Sequence, residues 1–572
     1  MEQDLLVLCT IYHGLLITNK LKKITMKNIK YIAPLFVLTI FVACNDIEDV
    51  DIDIEEIAVA PELTSGSVDF SNYVALGASF TAGFTDNALF KAGQENSFPN
   101  LLSKNFEALG GGEFTQPLMN DNVGGLILGG QLLIDAEGDT LFKPRLVFGG
   151  AGPIALKEAI GDVMPTTDFL RNNPSGTFKN LGVPGAKSFH LLGKGYANIA
   201  NFPAAANPYA IRLAADSPNA SLLELAMAQN PTFFTLSEIG GNDVLGYATS
   251  GGDGTNPITD INTFNFAFNT LVTTLTSNGA KGAVTNVPYI TDLPHFTTVP
   301  HNPLDPTNLD FGPQIPTLNT IYGAINQIFV ALGETNRVIE FSETAASAVV
   351  IQDETLDNLS AQITGALNAS TTFPIFVQQF GLPAQAAPIV AGLLGNAYGQ
   401  ARQATEDDLL VLPSSSVIGT VNTTSVASLM GQGLSLQLAG QFSAEGVSLP
   451  LEDKWVLLPS EQLEIKQATD AYNQTIAEVA NANANIALVD LNSVLTEAST
   501  TGLKAGDYTF TTNLVTGGLI SLDGIHLTSR GYAVMANKFL EQIDATFGSN
   551  FILSGNENNP GDYPTNYSPV LQ

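Results

Sequence analysis

Basic residues are scarce in this chain: 23 lysines and arginines stand against 55 acids, for a formal net charge of −32. Nucleic-acid phosphates need Lys and Arg partners, so this balance argues against nucleic acid. It also disfavours tight adsorption on anionic headgroups. Cysteine is almost missing. Neither Cys9 nor Cys44, the two present, has a neighbouring Cys or His at metal-ligand spacing, and two cysteines build no disulfide framework. No other cluster of His, Cys and Asp has the spacing of a metal site, and Asp49-Val-Asp-Ile-Asp53 lacks the glycine of a calcium loop. No periodic repeat is present. What the chain does have is 45% hydrophobic and 14% charged residues over 572 positions. That composition can build a core, and the length suits three to four average domains or one large enzyme with insertions.

The segment Met26 to Cys44 reads as an address. Lys27 and Lys30 precede an apolar run of 13 residues, Tyr31 to Ala43. The run is shorter than the roughly 20 residues that span a bilayer and has the layout of a secretory signal peptide. Phe41-Val42-Ala43-Cys44 resembles the bacterial lipobox, with Phe41 where leucine is usual. The resemblance implies cleavage before Cys44, acylation of that cysteine and anchoring in the outer membrane. An uncleaved anchor helix or a plain apolar leader is the alternative. Met26 is the natural start on the first reading, with Met1 to Thr25 an extension. Seven acids follow in the eleven residues from Asp46, a density that favours a solvated tether, residues 44–68, over a strand. Acidic runs here resemble the surface-export signals of Bacteroidetes lipoproteins, and a simple spacer has the same composition.

From Ser71 the pattern alternates strands and helices, which points to an α/β fold with a parallel sheet. Tyr73 to Leu76 is a short buried strand that breaks at Gly77 and presents Ser79, with an amphipathic helix over Ser97 to Phe106. Gly110 to Gly152 reads as a hairpin excursion. Thr177 to Gly182 and Thr232 to Ile239 are the second and third strands, and Gly240-Gly-Asn-Asp243 closes the third. A helix begins near Lys187. Ile261, Phe264, Phe268, Leu271 and Leu275 recur at helical spacing, and Lys281 to Val287 is a fourth strand. Alternation then stops for residues 289–458, read as one insertion against the mouth of the sheet, with a helix through Leu318 to Leu332 and extended runs at Asp408 and Trp455. It resumes with a helix N-capped by Ser460, a strand over Ile486 to Leu491 and a last helix after Thr528. Residues 549–572 form an irregular tail.

Four strand ends carry matching features: Gly77-Ala-Ser79-Phe80, Asn180-Leu-Gly-Val-Pro-Gly185, Gly241-Asn242-Asp243 and Asp523-Gly-Ile-His526. Together they resemble the ordered blocks of the SGNH (GDSL) hydrolases, over residues 71–547. The resemblance implies a flavodoxin-like three-layer sandwich with a central, mostly parallel sheet, in a domain of residues 69–548 with insertions near 110–175 and 289–458. It implies Ser79 as nucleophile, His526 as its base and Asp523 as the orienting acid. It also implies an oxyanion hole from the amides of Ser79 and Gly185 and the side chain of Asn242. Two departures stand out: the family's Gly-Asp-Ser-Leu reads Gly-Ala-Ser-Phe here, and Thr81 separates the motif from the Gly-X-Ser-X-Gly elbow. His190, His295 and His301 read as structural or surface residues.

The expected protein is therefore a lipid-anchored serine esterase of the cell envelope that needs no cofactor. Its partners are an ester (acylated glycan, short-chain ester or lipid) and a membrane. The alternative is a surface lipoprotein that keeps the fold and binds a glycan or protein partner without turnover.

Overall fold

The five buried runs of the sequence become the strands of one parallel sheet. The computed structural model describes residues 60–135 and 138–571. The signal segment, Cys44 and the acidic run lie outside the described residues. The strands are β1 (Tyr73–Gly77), β2 (Asn180–Gly182), β3 (Phe233–Ser237), β4 (Lys281–Thr285) and β5 (Ile486–Val489). All four pairings are parallel and the order is β2-β1-β3-β4-β5. β1 and β3 are buried at every position, as central strands covered on both faces must be.

Eight helices position the sheet: α1 (Ser79–Ala82), α2 (Phe98–Glu107), α3 (Leu222–Met227), α4 (Gly241–Thr249), α5 (Ile261–Thr276), α6 (Pro459–Asn481), α7 (Leu491–Thr500) and α8 (Ser529–Phe547). Register sets Tyr73, Phe233 and Lys281 side by side. Phe106 of α2 lies 5.2 Å from Tyr73 and 5.6 Å from Phe233, and Lys281 sits over Phe547 of α8. On the other face α5 packs against α3 and α6, where Phe264 stacks on Tyr472 at 4.1 Å. There Gly282 leaves room for the Phe234 ring, which a β-carbon would overlap. The protein is thus α/β, with helices on both faces of a parallel sheet.

Several expectations shift in detail. Ser460 is not the N-cap of α6: Leu458 takes that place with Pro459 as first helical residue, because proline lacks the N–H that a first turn leaves unpaired. Glu461 instead accepts the Leu458 amide at 2.6 Å. Leu491 belongs to α7, which Asp490 caps through Ser493 N, so the fifth strand ends at Val489. Gly241 to Asp243 opens α4 rather than closing a strand. The segment after Lys187 is a single 3-10 turn, Ser188–Leu192. The tether ends before residue 68, since Thr64 and Ser67 amides bond Asn550 and Phe547 and Val68 is buried.

The excursion after α2 holds two short hairpins, Ile127–Leu128 with Gln131–Leu132 and Leu146–Phe148 with Pro153–Ala155. The insertion has a hydrophobic core of its own around Tyr322, Ile325, Phe329, Ile363 and Tyr398, and its two extended runs pair antiparallel at Leu409–Leu410 and Val456–Leu457. It touches the main fold where His295 N–H donates to Gly524 O at 3.0 Å. The tail is irregular and still anchored: fully buried Arg145 donates to the carbonyls of Tyr567, Ser568 and Leu571. Among the described residues, no helix is long and apolar enough to cross a membrane.

Candidate active site

Sheets of this order bind ligands beyond the carboxyl ends of their strands, where the winding direction reverses between β1 and β3. Ser79 follows β1 directly and opens α1, while Asn242 lies one residue into α4 just after β3. Glycine 182 is what lets α1 sit there, because a β-carbon on it would overlap the Thr81–Ala82 backbone.

Opposite stands the turn before α8. Asp523 Oδ2 accepts from His526 Nδ1 at 2.9 Å, and its Oδ1 accepts the amides of Ile525 and His526, each at 2.8 Å. Burial raises the Asp523 carboxyl, but the charge and hydrogen bond of His526, with the two amides, outweigh it and hold the group well below the usual carboxylate range. The imidazole edges Phe84 at 4.6 Å between ring centres and Phe80 at 5.9 Å. Thr528 caps α8 through Gly531 N at 2.9 Å and fixes the end of this turn.

One pocket joins these groups. Ser79, Asn242 and His526 line it together, with Phe80 and Glu238. Gly185 does not line it. That glycine is exposed, with φ +78°, and its loop is tied to the pocket by Asn242 Nδ2, which donates to Ala186 O at 3.0 Å. The amide still has a second N–H. Asp243 ties the same loop from behind, accepting Ser188 N at 2.9 Å and Ser188 Oγ at 2.7 Å.

Two features of the site were not read from the sequence. The Ser79 hydroxyl donates to Glu238 Oε1 at 3.3 Å, rather than to His526. Glu238 Oε2 accepts the amides of Phe80 at 2.6 Å and Thr81 at 3.1 Å, so this carboxylate caps α1 from another strand. Its backbone is left-handed, φ +61°, a cost that a non-glycine residue bears at few places. Burial pushes the carboxyl up to about 7, against the pull of the Thr81 amide, His526 and the Phe80 amide. An acid ending an otherwise apolar strand was the available signal. The second feature is the turn Asp86-Asn87, left-handed at both residues, which aims Asn87 N–H at Asp523 Oδ2 at 2.8 Å. Asp86 itself accepts Leu522 N at 3.1 Å, and burial pushes its carboxyl up to about 7.

Among the described residues, the other histidines do other work. His190 accepts the Lys187 amide at 3.0 Å and stacks on Tyr196. His295 is buried against the Asp523-Gly524 turn, and burial pushes it down to about 4, which keeps it neutral. His301 gives its backbone carbonyl to Val349 N. The fold also gathers Glu354, Asp453 and Glu461, whose carboxylate oxygens come within 4.8 Å of one another; no spacing in the sequence reveals this. Burial raises both Asp453 and Glu461, and the charge of Glu354 adds to the rise in each.

No family model, curated protein or solved structure matches this chain.

Proposed function

We propose that the chain is an SGNH-type serine ester hydrolase. The observation that carries this reading is the meeting of Ser79 and Asn242, in one pocket, with an imidazole already bonded through Nδ1 to a buried carboxylate. In the proposed reaction Ser79 Oγ leaves Glu238 and attacks an ester carbonyl while His526 Nε2 takes its proton. Asp523 stays ionised and steadies the imidazolium. The oxyanion then receives the amide of Ser79 and the second N–H of Asn242; the exposed Gly185, which the family resemblance adds, stands outside the pocket. Such donors are worth roughly 3–4 kcal/mol each in comparable sites. Collapse expels the alcohol, which takes the proton from His526, and a water activated by the same imidazole releases the acid.

The strand order and the site's position at the switch point support the flavodoxin-like, SGNH form of the fold. Anchoring to the outer membrane through Cys44 is proposed from the lipobox resemblance alone. One observation favours the non-catalytic binding reading: the Ser79 hydroxyl is turned to Glu238.

A fluorophosphonate probe separates the two readings, because only an activated serine is labelled. The protein is expected to label and to hydrolyse p-nitrophenyl esters, and Ser79→Ala to lose both. A folded protein that neither labels nor turns over any ester would transfer the case to the binding reading.

A further inference from the structure

The pocket has two kinds of wall. Beside the polar side chains of Ser79, Glu238, Asn242 and His526 it is lined by Leu491, Val494 and Leu495 of α7, by Leu519, and by Val534 and Met535 of α8. Asn286, the other polar residue there, donates through Nδ2 to Asp490 at 2.6 Å and accepts Asn492 N through Oδ1 at 2.9 Å, which leaves it one N–H. The cavity holds about 900 Å³ with its mouth included, and nearly all of its wall is apolar. It is called the slot below.

We propose that this slot receives the acyl chain of the substrate, and that the chain is long and aliphatic. The proposal rests on the ester-hydrolase reading and names the substrate class for that site. A sugar ring placed against these walls would bury most of its hydroxyls without partners. An acetyl group would leave the slot unfilled. A polymethylene chain matches the apolar walls, and each methylene it buries adds a similar increment of binding. The insertion of residues 289–458 contributes only its first turn, Ile290 and Leu293, to the lining. Chain length is thus measured by α7 and α8.

The test uses the full chain and p-nitrophenyl esters from acetyl to palmitoyl. kcat/KM is expected to rise about fourfold per added methylene over the first several carbons, which is ~0.8 kcal/mol each. Val494→Phe, which obstructs the slot, is expected to lower the palmitoyl-to-butyryl ratio at least tenfold. Displacement of a fluorescent fatty acid from Ser79→Ala by palmitate, and not by butyrate, is the second measurement and needs no turnover. Ester hydrolysis that is flat or falling beyond butyryl, or a ratio unmoved in Val494→Phe, would overturn the slot proposal and leave the hydrolase reading standing. No hydrolysis and no probe labelling would overturn the hydrolase reading; displacement by palmitate would then sustain the slot as a fatty-acid site, and its failure would remove that too.

Discussion

Asp523 and Asp86 show how one environment drives two carboxyls apart. Asp523 gathers three backbone amides and an imidazole and is held low. Asp86, just across the Asn87 turn, accepts one amide while Asp523 repels its charge; Arg145 and His526 pull the other way without prevailing. The consequence for stability has opposite signs. A carboxyl raised to about 7 in the fold stabilises fully below its unfolded value near 4 and loses that contribution as pH climbs through 7. For Asp86 and Glu238 the loss is on the order of 3–4 kcal/mol each. The contribution of Asp523 is present above pH 4 and is lost in acid. Asp86→Asn is therefore expected to flatten the fall in melting temperature between pH 5 and 8, read by calorimetry at both values. An unchanged slope would mean that Asp86 is ionised in the folded protein.

At the scale of elements, α1 is one turn long and cannot hold a nucleophile by itself, since so short a helix has no independent stability. It is held from three sides: by β1 behind it, by Glu238 on the amides of Phe80 and Thr81, and by β2 through the contact at Gly182. Asn180 adds a bond from its side chain to Thr81 O at 2.8 Å. Gly182→Ala should then force α1 off β2. The expected cost is about 1–3 kcal/mol of stability, together with slower fluorophosphonate labelling of Ser79, and a variant that labels at the parent rate would disprove the strut. The Asn-Leu-Gly of this block was legible in the sequence as a strand end. Its purpose was not, because the partner of Gly182 is a backbone 100 residues earlier in the chain.

At the scale of the molecule, the insertion builds a second hydrophobic core, joined to the main fold where His295 meets Gly524. Within it Arg402 bridges Asp353 at 2.6 Å and Asp408 at 2.7 Å, with side chains 12%, 5% and 0% exposed. Removing the cation strands two buried carboxylates, so Arg402→Ala is expected to destabilise the insertion by about 3–5 kcal/mol. Because α7 and α8 wall the proposed acyl slot, the same variant should keep the parent's chain-length profile on the ester series below its melting temperature. A shifted profile would assign chain-length selection to the insertion.

Local chemistry settled what the sequence could settle alone. Apolar runs broken at Gly77, Gly182 and Pro288 marked strands, helical spacing from Ile261 marked α5, and Asp523 with His526 three residues on formed a pair that a single turn can close. The chain's alternation likewise implied a parallel sheet. Tertiary structure decided the rest, because the deciding partners are far apart in the chain. Glu238 meets Ser79 only once β1 and β3 lie side by side. Asn87 meets Asp523 across 436 residues, and the slot exists only where α7 and α8 leave a gap behind the serine. Periodicity can report which face of an element is buried; it carries no record of which other element buries it.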